Sequence, residues 1–253
     1  DELARQELAS PIRRVLLAAA AAIMAAFMVL FLGLHLTTRE PEIAARPSHM
    51  LLLALLVTGT AAVAAYLRLN GFSPYLTPTP LTAMLATILF SPQVGVVLAV
   101  VLALYVGSVF GDLYVGMVCL LAATVAVHSV RRVRHRNQFY RAILLVPLSY
   151  AALIAASDLV RFVPVGREML GDITPAVFTA VMAAILTIGL LPIFESLFHI
   201  TTDITLLELS DLNRPLLREL AIRAPGTYTH SLIMANLSES AAEAIGANPL
   251  HAR

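Results

Sequence analysis

Long runs of apolar residues fill most of the first two hundred positions of the chain. Seven such blocks lie between Val15 and Phe198, separated by short polar stretches. They cover residues 15–36, 50–67, 76–91, 93–110, 113–130, 141–160 and 174–198. About 20 helical residues span the hydrocarbon core of a bilayer, and several blocks reach that length. The pattern predicts an all-α protein: a polytopic membrane bundle of seven spans followed by cytoplasmic linker helices.

The third block, 76–91, fits this pattern least well, because it is short and opens with the turn-rich sequence SPYLTPTP. It meets the fourth block at Ser91, Pro92 and Gln93, with only Pro92 between the two blocks. A tight hairpin and a re-entrant pair are both compatible with this spacing.

The composition agrees with a membrane protein, since 59% of the residues are hydrophobic and 13% are charged. The net charge of +1 gives no reason to expect a nucleic-acid polymer as partner, and we predict the lipid bilayer instead. Cys119 is the single cysteine, so an intrachain disulfide is excluded.

Arginine in the short loops predicts the orientation of the chain in the membrane. The sequence RRVRHR at 131–136, together with Arg141, places five arginines between the fifth and sixth blocks. Loops rich in arginine stay in the cytoplasm. With seven crossings, the N-terminus is then outside and the C-terminus is in the cytoplasm.

Four ionisable residues lie in or at the ends of apolar blocks, where charge is costly and often functional. Asp112, Asp158 and Arg161 form a candidate intramembrane polar group, and the three-residue spacing of Asp158 and Arg161 would let them pair. Glu195 follows Pro192, which favours a helix kink. We therefore take Pro192 and Glu195 as candidates for signal coupling.

A pair of glycines in the fourth block could also bring two helices together. Gly107 and Gly111 have the GxxxG spacing that lets helices approach closely.

After Phe198 the chain has the pattern of soluble amphipathic helices. Thr205 and Glu208 have the spacing of a capping box, and Thr227 could cap a later helix. His230 falls on the apolar stripe of that later helix, with Met234 one turn further on. A histidine on such a stripe is usually a packed core residue, and a metal ligand is the alternative.

Three stretches of this region carry a family resemblance: LPIFESLF (191–198), TTDITLLELSDLNRPLLREL (201–220) and APGTYTHSLIMANLSESAAEAIGANP (224–249). They resemble the membrane-to-cytoplasm junction of bacterial seven-transmembrane receptors with a C-terminal HD hydrolase domain, such as the PgpH-type cyclic di-AMP phosphodiesterases. The resemblance implies a multi-pass protein of the bacterial cell membrane.

The resemblance also implies a division of the chain into four parts. Residues 1–14 would end an extracellular domain or form a pre-membrane helix, and 15–198 would form the membrane domain. Residues 199–223 would be a cytoplasmic linker, and 224–253 the beginning of the HD domain.

The family's chemistry carries over at one position. His230 occupies the place of a metal ligand in the family's GTYxHS stretch. The other ligands and the catalytic residues would lie downstream, so we expect residues 1–253 alone to be inactive. The intact protein would use two divalent metal ions, manganese or iron, to hydrolyse cyclic di-AMP.

Three functions are therefore compared. The first is a membrane sensory domain that passes a signal to the cytoplasmic hydrolase. The second is a transporter or channel, with Asp112, Asp158 and Glu195 along the path. The third is a passive anchor and dimerisation unit that holds the hydrolase as a homodimer at the membrane.

Overall fold

The structure is a computed structural model that describes residues 22–131, 139–162 and 166–253. Every regular element in these ranges is helical. The helices are α1 (Ala22–Arg39), α2 (Pro41–Ala44), α3 (Pro47–Leu69), α4 (Thr79–Leu89), α5 (Pro92–Phe110), α6 (Leu113–Val130), α7 (Tyr140–Val160), α8 (Arg167–Phe198), α9 (Asp203–Leu209), α10 (Pro215–Arg223), α11 (Pro225–Ala244) and α12 (Pro249–Ala252). The all-α fold predicted from the sequence is thus confirmed.

Within the described residues, six helices are long and apolar enough to cross a membrane: α1, α3, α5, α6, α7 and α8. The seventh predicted span, 76–91, is different. Its α-helix, α4, has 11 residues and is preceded by a 3-10 turn at Pro74–Leu76. At 1.5 Å per residue, α4 is about 16 Å long, roughly half the hydrocarbon thickness. The seventh predicted span is therefore not confirmed at full length.

Proline explains why α4 is short. Pro78 precedes the helix and Pro80 lies in its first turn, where the missing N–H is harmless. The Thr79 hydroxyl lies 3.3 Å from the hydroxyl of Tyr150, near the middle of α7. At the other end of α4, Phe90 contacts the ring of His49 near the start of α3. The helix therefore extends over only half the length of the bundle, from the middle of α7 to the level at which α3 begins.

The short helix α4 lies at the centre of the bundle and is almost completely buried. It packs against α5, α6 and α8. The contact with α5 is very close, because a Cβ atom on Gly95 would lie 2.0 Å from Oγ1 of Thr87. The non-helical segment before α4 is buried as well, with Tyr75 and Thr77 at most 2% exposed. Irregular backbone at membrane depth is stable when protein surrounds it in this way.

Helices α5 and α6 form a tight hairpin whose turn is determined by Gly111 and Asp112. Gly111 ends α5 in the left-handed conformation, at φ 67°, and the Asp112 carboxylate caps the first turn of α6. Gly107 packs against Gly116 of α6, with a built Cβ 3.2 Å from the Gly116 Cα. The predicted close approach is confirmed for Gly107, whereas Gly111 serves the turn.

The two ends of the bundle are defined by their loop contacts. At the end that carries α9 to α12, called here the tail-side end, the Ser91 hydroxyl donates to Oε1 of Glu40 at 2.7 Å. At the opposite, far end, Arg161 after α7 contacts Asp112 before α6. The segment 1–14 and most of the arginine-rich loop, 132–136, lie outside the described residues.

The tail-side helices begin at prolines more often than at the predicted caps. Pro215 and Pro225 are the first residues of α10 and α11. Thr227 consequently lies inside the first turn of α11 and is not its cap, which corrects the sequence prediction. Gly246, at φ 72°, lies two residues after the last residue of α11, in the left-handed conformation that glycine favours at helix ends.

Candidate functional site

The junction between the membrane bundle and the tail is built around the last turn of α8. This helix continues through Pro192 to Phe198, and His199 then takes the left-handed conformation at φ 54°. The backbone amide of Ile200 donates to the Glu195 carbonyl at 3.1 Å, which closes the helix end. The chain therefore turns sharply four residues after Glu195.

The carboxylate of Glu195 is held by two threonines of the tail. Its Oε1 accepts hydrogen bonds from Oγ1 of Thr202 and, at 3.0 Å, from Oγ1 of Thr205. Thr202 is 3% exposed and Glu195 is half-buried, so this bond is partly shielded from water. Hydrogen bonds to an ionised carboxylate are stronger than bonds between neutral groups. We call this arrangement the Glu195 clasp.

The clasp corrects one prediction made from the sequence. Thr205 was expected to begin a helix in a capping box with Glu208. Helix α9 instead begins at Asp203, one residue after Thr202, so Thr205 lies inside the helix. Its hydroxyl is thereby free to bond Glu195.

The first turn of α9 is also anchored by apolar contacts. Ile200 and Ile204 are buried, at 8% and 3% exposure, in the same core cluster as Leu191 and Phe198 of α8. Clasp and apolar anchor together fix α9 against the end of α8.

His230 lies on α11 and its side chain is exposed. The stripe that it shares with Ile233, Met234 and Leu237 is exposed too, by 47% to 62%. The prediction that this stripe is buried is therefore wrong for the chain as described, because none of the described elements covers it. The described residues contain no group of three metal-ligating side chains close enough for a metal ion. They do not by themselves form the two-metal site that the family implies, and His230 stays a predicted ligand.

The predicted polar group at the far end pairs differently from the expectation. The guanidinium of Arg161 donates to Oδ2 of Asp112 and lies 4.7 Å from the ring centre of Tyr114. Its expected partner, Asp158, is 4% exposed, and Oδ2 of that residue has no hydrogen-bond partner in the part of the chain that the structure describes.

The reason for the changed pairing is the end of α7. Arg161 is the cap residue after Val160, and Phe162 turns into the left-handed region at φ 57°. The rule that residues three apart share a face applies only within a helix. At the end of α7, the side chain instead reaches across to the α5–α6 turn.

Asp112 lies in that turn, outside the spanning helices, and its charge is stabilised there. Burial alone would raise its pKa. Hydrogen bonds from Arg161 and from the amides of Tyr114 (2.9 Å) and Val115 (3.4 Å) outweigh burial, so the pKa of Asp112 lies below its ordinary value. Asp112 is thus a helix cap and an ion-pair partner at the bundle's end.

Comparison with known proteins agrees with this architecture. The family model described as "7TM receptor with intracellular HD hydrolase" matches residues 15–202. The chain belongs to this family. Of the seven transmembrane segments in the family's name, the described residues show six as helices long and apolar enough to cross a membrane.

Three relatives are similar to parts of the chain. The cyclic-di-AMP phosphodiesterase PgpH of Bacillus subtilis is 30% identical over 187 residues, 71% of this chain and 26% of the relative. PgpH of Listeria monocytogenes is 48% identical over 71 residues, 28% of this chain and 10% of the relative. An uncharacterized protein of Synechocystis is 48% identical over 63 residues, 25% of this chain and 8% of the relative. No solved structure matches the chain.

The chain thus spans about a quarter, or less, of the length of these curated relatives.

Proposed function

We propose that this chain is the membrane regulatory part of a metal-dependent HD phosphodiesterase that hydrolyses cyclic di-AMP. A signal from outside the cell, or from within the membrane, changes the position of α8, and the Glu195 clasp passes that change to the tail. The tail carries His230 and leads into the HD domain. In the bacterial membrane the far end faces outward and the tail-side end faces the cytoplasm.

The observation that carries this proposal is the Glu195 clasp at the bundle's exit. The long helix α8 leads from the bundle to the tail. Its Glu195 carboxylate accepts hydrogen bonds from the hydroxyls of Thr202, the cap of α9, and of Thr205 within α9. Coupling requires that the signal favour one of two arrangements of the junction. A partly buried hydrogen-bonded contact between α8 and α9 would give such arrangements different energies.

His230 and the exposed apolar face of α11 support the enzymatic part of the proposal. The GTYTHS stretch places His230 on the face next to Ile233 and Leu237, which are 59% and 62% exposed. Contiguous exposed apolar surface commonly marks an interface. We infer that the remainder of an HD domain covers this face and adds the other ligands for two divalent ions, manganese or iron.

The experiment compares clasp variants of the full-length parent in lipid vesicles. Thr202→Val/Thr205→Val removes both donors to Glu195 and keeps the side-chain shape. Coupling energies between sites are commonly about 1–3 kcal/mol, so we expect hydrolysis of cyclic di-AMP to change by at least about fivefold. The matched control is Thr58→Val/Thr124→Val, since both of these exposed hydroxyls bond only their own helix backbone.

Each alternative predicts a separate outcome. A passive anchor, or a dimerisation unit that holds a homodimer, predicts equal hydrolysis by clasp variant, control and wild type, which would overturn the coupling. A transporter predicts flux of ions or solutes into proteoliposomes that is lost in Asp158→Asn. Hydrolysis that persists after chelation of divalent metal, or in His230→Ala, would overturn the metal-dependent site.

A further inference from the structure

A cavity of about 560 Å³ opens at the tail-side end of the bundle. One wall is the connection from α1 to α3, with Arg39, Glu40, Arg46 and His49. The opposite wall is formed by the exit of α8 at His199 and by His251 of α12. The cavity is separate from His230 and from the far-end polar group. Its lining unites residues that lie more than 200 positions apart in sequence.

The two arginines of this cavity are available to a ligand. Among the described residues, no carboxylate lies within 4.0 Å of either guanidinium, and both side chains are exposed to the cavity or to solvent. Of the two acids in the lining, Glu40 accepts the hydrogen bond from Ser91 at 2.7 Å, and Glu42 is exposed. Glu40 therefore has a structural role that competes with pairing to an arginine.

Three histidines, His49, His199 and His251, also line the cavity. The ring of His49 is held edge-on against Phe90, with 5.5 Å between ring centres. Its Nδ1 is buried and lacks a hydrogen-bond partner within the described ranges. His199 holds the left-handed conformation that non-glycine residues adopt at a cost. His49 and His199 both contribute to the lining of the cavity.

The helix geometry also favours an anion here. Arg46 is the cap of α3, a helix of 23 residues, and Pro47 occupies its first turn. The amino end of a long helix carries a partial positive charge that favours a nearby anion. At α3 this is a field effect and not a set of free donors, because Pro47 has no N–H and the amides of His49 and Met50 donate to the Arg46 carbonyl. The positive end of α3 and both guanidinium groups therefore lie on the same wall.

A single metal ion does not explain the arrangement. The structure contains no cluster of three His, Cys, Asp or Glu side chains in its described ranges that could hold one. The histidines are distributed around the cavity, and arginine does not ligate metals because it stays protonated. Guanidinium groups match phosphate oxygens in charge and geometry.

We propose that this cavity binds a phosphate group between the α1–α3 connection and the exit of α8. The group is carried either by an anionic phospholipid headgroup or by a soluble phosphate compound. Because the ligand contacts both walls, its binding stabilises one placement of the tail relative to the bundle. Binding as such does not depend on the hydrolase activity proposed above.

The test measures the thermal unfolding midpoint of the full chain in detergent as ligand is added. The soluble arm uses inorganic phosphate against chloride at the same ionic strength. The lipid arm uses dioctanoyl phosphatidylglycerol against dioctanoylglycerol, which lacks the phosphate. A ligand that binds only the folded state raises the midpoint with its concentration.

Three variants locate the binding. Arg39→Gln/Arg46→Gln should need at least about tenfold more ligand for the same rise, since each charged hydrogen bond contributes substantially. Arg214→Gln/Arg218→Gln, two exposed arginines of the tail outside the cavity wall, should behave as wild type. His251→Gln, on the exposed α12, should also weaken binding and does not disturb the bundle.

The pattern of results decides between the sources. A rise with inorganic phosphate supports a soluble phosphate compound, and a rise with phosphatidylglycerol alone supports the headgroup. Absence of a rise in both arms would overturn the proposal. Equal rises in Arg39→Gln/Arg46→Gln, His251→Gln and the control would overturn it as well.

Discussion

Arg161 shows how strongly one residue depends on the end of a helix. Spacing alone assigns it to Asp158, three residues earlier. Because α7 ends at Val160, the guanidinium reaches Asp112 of another loop and the ring of Tyr114. The ion pair joins α7 to the α5–α6 hairpin at the far end. This long-range contact could not be predicted from the sequence, because the position of the helix end was not known to one residue.

The ion pair gives a prediction about stability and pH. Asp112→Asn keeps a good helix cap and removes the charge that pairs with Arg161. With both side chains partly exposed, at 24% and 34%, we expect a loss of about 1 kcal/mol at neutral pH. The measurement is the free energy of unfolding of the chain in detergent.

The pH dependence follows from the lowered pKa of Asp112. A carboxyl with a lower pKa in the folded state stabilises the fold above its unfolded pKa, near 3.9. That contribution disappears as the pH falls through the folded pKa. The difference between wild type and Asp112→Asn should therefore be constant at neutral pH and shrink below about pH 4. A difference that grows on acidification would contradict the assignment.

A double-mutant cycle separates the pair from the cap. Arg161→Gln should reduce stability by a similar amount, and adding Asp112→Asn to it should cost little more. Fully additive losses would show that the two side chains do not interact.

Thr202 and Thr205 were missed as partners of Glu195 for a related reason. The sequence places them 7 and 10 residues after the acid, and within one continuous helix those offsets would not bring both to it. The left-handed His199 reverses the chain and brings them there. The polar run TTDIT directly after an apolar span was the available signal, because buried threonines need hydrogen-bond partners.

Among the elements, α4 differs most from its predicted form. The apolar block was identified correctly, and the proline-rich SPYLTPTP stretch marked where the helix is interrupted. The depth of α4 was not predictable, since it depends on packing against α5, α6 and α8. A hydropathy pattern records that a segment is buried, and does not record whether lipid or protein buries it.

The close contact of α4 with α5 gives a prediction about two glycines. Gly95→Ala places a Cβ 2.0 Å from Oγ1 of Thr87 and 3.0 Å from the Ala83 carbonyl, so the helices must separate. Overpacking of this kind costs about 1–3 kcal/mol. Gly189→Ala, in α8 with no atom within 4 Å of the new Cβ, should stabilise by about 0.5–1 kcal/mol through helix propensity.

Thermal unfolding of both variants in the same detergent provides the measurement. The opposite signs of the two effects exclude a general effect of alanine on these helices. Equal shifts of the two midpoints would mean that α4 and α5 are further apart than described.

For the whole molecule, the sequence was informative about the type of architecture and about the family. Apolar blocks predicted the membrane bundle, and the motifs of residues 191–249 carried the family resemblance. The tail-side cavity could not be predicted from the sequence, because its walls come from separate parts of the chain: the connection between α1 and α3, the exit of α8, and α12. Single arginines and histidines at such distances carry no periodic signal, and only tertiary packing brings them together.

The orientation of the bundle can be tested with single cysteines, because the native Cys119 is fully buried and should not react. Asn70 follows α3 at the far end and is exposed, and Ala247 is exposed in the tail. We expect a membrane-impermeant thiol reagent to label Asn70→Cys in intact cells. Ala247→Cys should react only after the membrane is permeabilised. Labelling of Ala247→Cys in intact cells would place the tail, and with it His230, outside the cell. A hydrolase that acts on a cytoplasmic dinucleotide would then be excluded, whatever the effect of the clasp variants.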